Sequence, residues 1–171
     1  NTIYPVKDVI RVLLGEQVQG ASFAVGTIRL PRMIAGVFAG FAFGVGGYIF
    51  QTMLRNPLAN PNVIGITAGS SAAAVFCIIV LQASNTIVSI ASVVGGLATV
   101  LVIYFLSKGS SFSIGRLILI GIGIQAMLTA VINYLMLIGN THDLPTAMRW
   151  LSGSLNGAKM ENLYPLIITV C

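Results

Sequence analysis

The chain is written in long uncharged runs separated by short polar breaks. No Asp, Glu, Lys or Arg occurs between Arg32 and Arg55, between Arg55 and Lys108, or between Arg116 and Asp143. Each gap can hold at least one run of the roughly 20 apolar residues that a bilayer core requires. The first gap predicts a span over about 33–54. The second holds 45 uncharged residues from Val63 to Ser107, too many for one span, and Gln82-Ala83-Ser84-Asn85-Thr86 is the turn that divides it into spans near 64–81 and 87–106. The third predicts a span over 117–138, and residues 163–171 begin another. The pattern therefore predicts four complete spans and the start of a fifth.

The intervening segments carry their own signals. Val6, Val9, Ile10, Leu13 and Leu14 recur at helical spacing, which predicts a short amphipathic helix lying near the membrane surface. Gly15 to Thr27 reads as a turn or extended link. Pro31 falls just before the first span, near the first helical turn where proline is tolerated. Within that span Gly36, Gly40 and Gly44 form a G-x-x-x-G-x-x-x-G stripe that lets another helix approach closely. Arg55 to Asn62 contains Pro57 and Pro61, which break the helix. Gly65 to Ser71 is small and polar enough to be partly irregular where it is buried in protein. Lys108–Arg116 is a second polar loop. In the longer polar segment 139–162, Leu144 to Leu151 predicts a short interfacial helix anchored by Trp150.

Composition strengthens the membrane reading. Of 171 residues 56% are apolar and 8% charged, against about 25% charged in a soluble domain. The net charge of +5 does not indicate a nucleic-acid binder, because no basic cluster accompanies it, and membrane proteins favour Lys and Arg at their flanks. Cys77 and Cys171 sit in apolar runs, where lone thiols behave as small hydrophobes. Both ends read as cut: Asn1 is not an initiator Met, and the apolar run 163–171 stops after nine residues. One transmembrane domain, truncated at both ends, is the expected organisation. Counting Lys and Arg by alternating sides gives three on the side of Arg55, Lys108 and Arg116 and six on the other, so the positive-inside rule alone would make the second side cytoplasmic.

Three stretches in order carry a family resemblance. They are Arg29-Leu30-Pro31-Arg32 before a Gly-rich helix; Gln51-Thr52-Met53-Leu54-Arg55-Asn56-Pro57-Leu58-Ala59 running into Pro61-Asn62-Val63-Ile64-Gly65-Ile66; and Gly115-Arg116-Leu117-Ile118-Leu119-Ile120-Gly121-Ile122 with Trp150-Leu151-Ser152-Gly153-Ser154-Leu155 downstream. Together they resemble the permeases of ABC importers for iron–siderophores, haem and vitamin B12, over nearly the whole chain. The resemblance implies an all-α polytopic transmembrane helical bundle like the vitamin B12 importer permease, in the bacterial cytoplasmic membrane. A full subunit would have about ten transmembrane helices, of which this chain would hold spans two to five and the start of six. The partners implied are a second permease subunit, identical or paralogous, two cytoplasmic ATPases that bind ATP and Mg, and an extracytoplasmic substrate-binding protein, besides the lipid bilayer. It puts 1–32 and 139–162 outside and Arg55 inside, which reverses the charge count.

Candidate sites follow from both kinds of reading. The resemblance implies that Arg29 and Arg32 receive carboxylates of the binding protein, a role that suits the bidentate guanidinium; an interfacial snorkel at a helix end is the alternative. It also implies that Asn56 and Leu58 close a cytoplasmic gate, with Ser113, Ile114, Gly115 and Arg116 as a weaker second candidate; a plain helix-breaking turn is the other reading. Gln125, Thr129 and Asn133 recur every fourth residue, and such intramembrane polar groups face the bundle interior; they line a pathway or bond between helices. His142 stands alone, without the ligands that complete a metal site. No Walker loop, carboxylate pair or nucleophile–base set occurs, so the expected role is that of a non-enzymatic transport subunit with no cofactor of its own. The spans contain no carboxylate for ion coupling, which weighs against the rival reading, an ATP-independent secondary transporter. Iron–siderophore is the expected substrate, with haem and cobalamin as alternatives.

Overall fold

The computed structural model describes residues 3–56, 60, 65–108, 113–160, 163–164 and 167–168. The expected loop residues Pro57–Ala59, including Leu58, the stretch 61–64, and most of the run 163–171 lie outside the described residues. Every described element is helical: α1 Val6–Leu13, a π-helical segment Phe23–Arg29 leading directly into α2 Leu30–Leu54, α3 Ile66–Ile79, α4 Asn85–Ser107, α5 Ile114–Ile138 and α6 Leu144–Ser152. Among the described residues, three stretches are long and apolar enough to cross a membrane, Phe23–Leu54, Asn85–Ser107 and Ile114–Ile138. The chain clusters into two units, Asn1–Gly46 with Leu155–Cys171, and Gly47–Ser154.

In the first unit, α1 forms where the apolar periodicity placed it, and its apolar positions Val6, Ile10 and Leu13 remain exposed, as befits a helix meant for an interface. Arg11 Nε donates to Glu16 Oε2 at 2.6 Å across the turn that follows. That hydrogen bond and charge push the Arg11 pKa up. The expected link over Gly15–Thr27 is in its second half helix. Gly20 takes a left-handed turn at φ +80°, and from Ala21 the backbone is helical into α2, so the helix begins about a dozen residues ahead of the expected start at 33. Pro31 lies inside it. An interior proline lacks the N–H that would bond four residues back, and its ring crowds that carbonyl. The strain coincides with the π segment, whose last bond runs from Leu30 N–H back five residues to Val25 O; a π turn is a common way for a helix to absorb such a misfit.

At its other end α2 closes on backbone bonds. Arg55 N–H donates to Thr52 O at 3.2 Å and Asn56 N–H to Gln51 O at 3.1 Å, with Arg55 left-handed at φ 49°. This is the Schellman arrangement, here with Arg where Gly is usual.

The second unit is built around α3. With 14 residues it is about 21 Å long, short of a bilayer core of about 30 Å, so the span expected over 64–81 is a shorter buried helix. Ala72, Ala74, Val75, Cys77, Ile78 and Ile79 of α3 form the core with Val88 of α4, Ile132 and Leu135 of α5 and Ala147 of α6. Gly65 to Ser71, expected to be partly irregular, is helical from Ile66 behind a left-handed Gly65 at φ +80°. Its small residues serve contact instead. A Cβ on Gly69 would collide with Thr99 and stand 2.9 Å from Gly95 O; one on Gly95 would stand 2.8 Å from Gly69 O. Hence α3 and α4 touch backbone to backbone. The buried hydroxyls of α4 bond their own helix, Thr99 Oγ1 to Gly95 O at 2.8 Å and Ser107 Oγ to Tyr104 O at 2.9 Å, so each has an acceptor in an apolar surrounding.

The anticipated glycine stripe behaves differently. Gly36 faces Leu155 Cδ1, 3.5 Å from a notional Cβ, while Cβ atoms on Gly40 and Gly44 would meet nothing within 4 Å. Gly69→Ala or Gly95→Ala is therefore expected to destabilise by about 1–3 kcal/mol through overpacking, lowering the thermal midpoint of the purified protein in detergent. Gly40→Ala should leave the midpoint level or raise it slightly through helix propensity; an equal fall for Gly40→Ala would contradict this assignment of the packing glycines.

Candidate functional site

The arginine pair lies where the π segment meets α2, and both residues are exposed. Each meets a different part of the first unit. The Arg29 guanidinium carbon lies 5.4 Å from the centroid of the Tyr4 ring, and the Tyr4 hydroxyl in turn donates to Gly20 O at 2.9 Å. Arg32 Nη2 donates to Asn156 Oδ1. Three-residue spacing thus gives two guanidinium groups at the junction of the π segment and α2, held by segments far apart in sequence.

The loop candidates divide. Asn56 is exposed and sits just beyond the Schellman closure, its N–H committed to Gln51 O. Leu58 lies outside the described residues. Ser113 is extended, with φ −124° and ψ 121°, at the N-cap position of α5, and its carbonyl accepts from Leu117 N–H at 3.1 Å. Ile114, Gly115 and Arg116, expected in a loop with the span starting at 117, form the first turn of α5 instead; an extended Ser is a favourable start for a helix at that point.

Gln125, Thr129 and Asn133 do share one face of α5. With Ile122, Ala126 and Ala130 they line a shallow open groove of about 500 Å³. Thr129 Oγ1 donates to Gln125 O at 2.8 Å. Gln125 also marks a joint. A Cβ on Gly65 would stand 3.1 Å from Gly121 O and 3.2 Å from Gln125 N, so the start of α3 rests against the middle of α5. Toward the opposite end of α5, Gln82 Nε2 reaches Asp143 Oδ2 at 3.4 Å. His142 is 99% exposed, with Nδ1 3.9 Å from Asp143 Oδ1, a surface histidine.

Comparison with known proteins decides the lineage. A model of the FecCD transport family matches residues 1–171. The chain belongs to the FecCD transport family. Among curated relatives, it is 37% identical over 153 residues to the achromobactin transport system permease protein of Dickeya dadantii, covering 88% of this chain and 44% of that protein. It is 35% identical over 163 residues to the ferric enterobactin transport system permease protein of Escherichia coli, covering 94% and 49%. A cobalamin import system permease protein of Halobacterium salinarum is 30% identical over 152 residues, with 86% and 41% covered. The chain spans about half the length of these relatives. Its fold is that of a solved structure described as an inward-facing conformation of an ABC transporter assigned to the metal-chelate type, with a TM-score of 0.79, 24% identity, and 96% of this chain and 60% of that one covered. As a family member with three helices, among the described residues, long and apolar enough to cross a membrane, it is a multi-pass protein of the cytoplasmic membrane.

Two groups of residues in this family member escaped the sequence reading. Gly69 and Gly95 make the tightest helix contact; the run of small residues from Ala68 to Ala74 opposite Gly95-Gly96 was the available signal. Tyr4 and Asn156 meet the arginines across 25 and 124 positions, and no local pattern signals such pairings. The polar face of α5 generates a direct test. Thr129→Cys and Asn133→Cys are expected to react with a membrane-impermeant thiol reagent in the assembled transporter. Met127→Cys and Tyr134→Cys, exposed and well round the helix at about 100° per residue, should be protected by lipid. Equal labelling of all four sites would mean that the stripe does not meet water.

Proposed function

We propose that this chain is part of the permease subunit of an ABC importer that carries an iron(III)–siderophore complex across the cytoplasmic membrane. The observation that carries the reading is the exposed Arg29–Arg32 pair where the π segment meets α2, in a helix long and apolar enough to cross a membrane and a chain whose family includes permeases named for achromobactin and ferric enterobactin. Arg29 and Arg32 receive carboxylates of an extracytoplasmic binding protein. Charge-assisted, bidentate bonds suit a dock that must form and release in each cycle. Asn56, Leu58 and the turn Ser113–Arg116 close the pathway on the cytoplasmic side, and Gln125, Thr129 and Asn133 offer polar contacts to a bulky chelate. Neutral amide and hydroxyl groups can bond such a ligand without the desolvation that a buried charge would suffer.

ATP and Mg²⁺ are handled by two ATPase chains, and a second permease subunit completes the pathway. The permease converts their closure into alternating access because inward- and outward-open states differ in stability with nucleotide state. A chelate that moves intact needs no metal ligand from the protein. Cobalamin is the second reading, favoured by the Halobacterium relative's name; uptake assays with labelled ferric siderophore and labelled cobalamin separate the two.

Replacing Arg29 and Arg32 together by Glu is expected to abolish stimulation of ATP hydrolysis by the binding protein in the complete transporter, while the ATPases still co-purify. Stimulation left intact would remove the docking role. For the gate, cysteines at Asn56 or Ser113 paired across the permease dimer should cross-link in one nucleotide state and not the other; state-independent cross-linking speaks against gating.

A further inference from the structure

The two faces of α4 are built differently. The face packed within the second unit carries Gly96, Thr99, Ile103 and Ser107, all buried. At about 100° per residue, the opposite face carries Ile90, Val94, Leu97, Leu101, Tyr104 and Phe105, all exposed. It ends at Lys108, the exposed C-cap residue of the helix. Close contacts between helices in a membrane use small residues, as Gly69 and Gly95 do here. The exposed face has only large side chains, so it suits acyl chains better than another helix. From Leu97 to Lys108 the helix rises about 16 Å, half of a bilayer core of about 30 Å, which is the depth of one leaflet.

The end of this face differs from its middle. Tyr104 lies one turn before Lys108, and the Tyr104 and Phe105 rings meet edge to face with centroids 5.6 Å apart. Aromatic rings beside a cation mark headgroup depth on a membrane helix. Among the described residues, neither the Tyr104 hydroxyl nor the Lys108 ammonium has a hydrogen-bond or ion-pair partner. Arg55 and Arg116 are also exposed and fall on the same side by the alternation of spans, while Asp143, the acid of the second unit, lies beyond the far end of α5. The dipole of α4 favours a cation at Lys108, but that of α5 opposes Arg116 in its first turn. Helix electrostatics therefore does not account for the group.

We infer that this face of α4 seats an anionic phospholipid, its acyl chains along Leu97 and Leu101 and its phosphate at the Lys108 ammonium and the Tyr104 hydroxyl. Arg55 and Arg116 raise the local potential that draws anionic headgroups to the surface. The inference depends neither on what is transported nor on the docking reading.

The test uses the complete transporter, purified in mild detergent and delipidated. Phosphatidylglycerol or phosphatidylcholine is titrated in, and native mass spectrometry reads the affinity of the tightest-bound lipids. Phosphatidylglycerol should be preferred. Lys108→Gln should weaken its retention about five-fold, the effect of one basic residue at an anionic headgroup. Tyr104→Phe should weaken it about two- to three-fold through a lost hydrogen bond. Lys108→Arg should still hold the lipid, and Lys159→Gln, which removes an exposed cation of the first unit, should change nothing. Equal retention of the two lipids, or no greater loss in Lys108→Gln than in Lys159→Gln, overturns the site. A second measurement asks what covers the face. Leu101→Trp should add fluorescence that is quenched by phosphatidylglycerol brominated on its acyl chains; added fluorescence that this lipid leaves unquenched means that protein covers α4, and it overturns the proposal as well. These substitutions alter exposed side chains, and the lipid preference of the unsubstituted transporter needs no variant, so the outcome stays readable if one of them fails to assemble.

Discussion

A helix of 14 residues cannot cover a bilayer core by itself, and the second unit is arranged around that constraint. Backbone polar groups in a membrane must find partners within the protein, and ends of short helices are tolerable only where protein buries them. α3 is buried on that account. α4 approaches it at Gly69 and Gly95, α5 receives its first turn at Gly121 and Gln125, and α6 adds Ala147 to the core. The glycines are what permit this. Hydrophobic burial gives no drive between helices in lipid, so contact must come from close van der Waals fit, and a backbone–backbone approach provides the most of it.

The same accounting governs polar groups along the spans. Thr99 and Ser107 bond carbonyls of their own helix, so α4 buries hydroxyls without needing a partner helix to supply acceptors. Pro31 is the harder case, since the missing N–H lies within a continuous helix. The π segment ahead of it keeps the helix unbroken, and it ends at Arg29. The irregularity and the arginine pair therefore coincide, and a proline that seemed to mark a helix start instead shapes the helix that presents both charges.

Legibility followed the physics of each feature. Spans were readable because excluding charge from lipid leaves a one-dimensional record, and α1 and α6 because amphipathic periodicity and Trp150 are local signals. Boundaries were less readable. Ala21–Thr27 is helical although rich in Gly, Ser and Thr-like small residues, because helix propensity is a weak prior that packing against α1 overrides, and Ile114–Arg116 joined α5 for want of any breaker after Ser113. The glycines of α2 have the motif spacing, and among the described residues Gly36 meets Leu155; the backbone contact between α3 and α4 is made at Gly69 and Gly95, 26 positions apart. Motif arithmetic within one helix cannot see pairing between two. The polar stripe on α5 was legible to the residue because its three members share one helix and one period.

Charge counting needs the same care. Six of nine Lys and Arg residues fall on the side that the docking reading makes external, against the positive-inside tendency. Two of the six, Arg29 and Arg32, have a recognition role on that reading and are held by Tyr4 and Asn156. Setting them aside leaves Lys7, Arg11, Arg149 and Lys159 against Arg55, Lys108 and Arg116, near parity, and a near-tie over half the length of a permease does not decide orientation. The rule describes how a helix inserts when its flanking charges have no other duty. Where a basic pair serves recognition at the outer surface, the count is biased by the function it was asked to reveal, and the arginines that oppose the rule are the ones to examine for a partner.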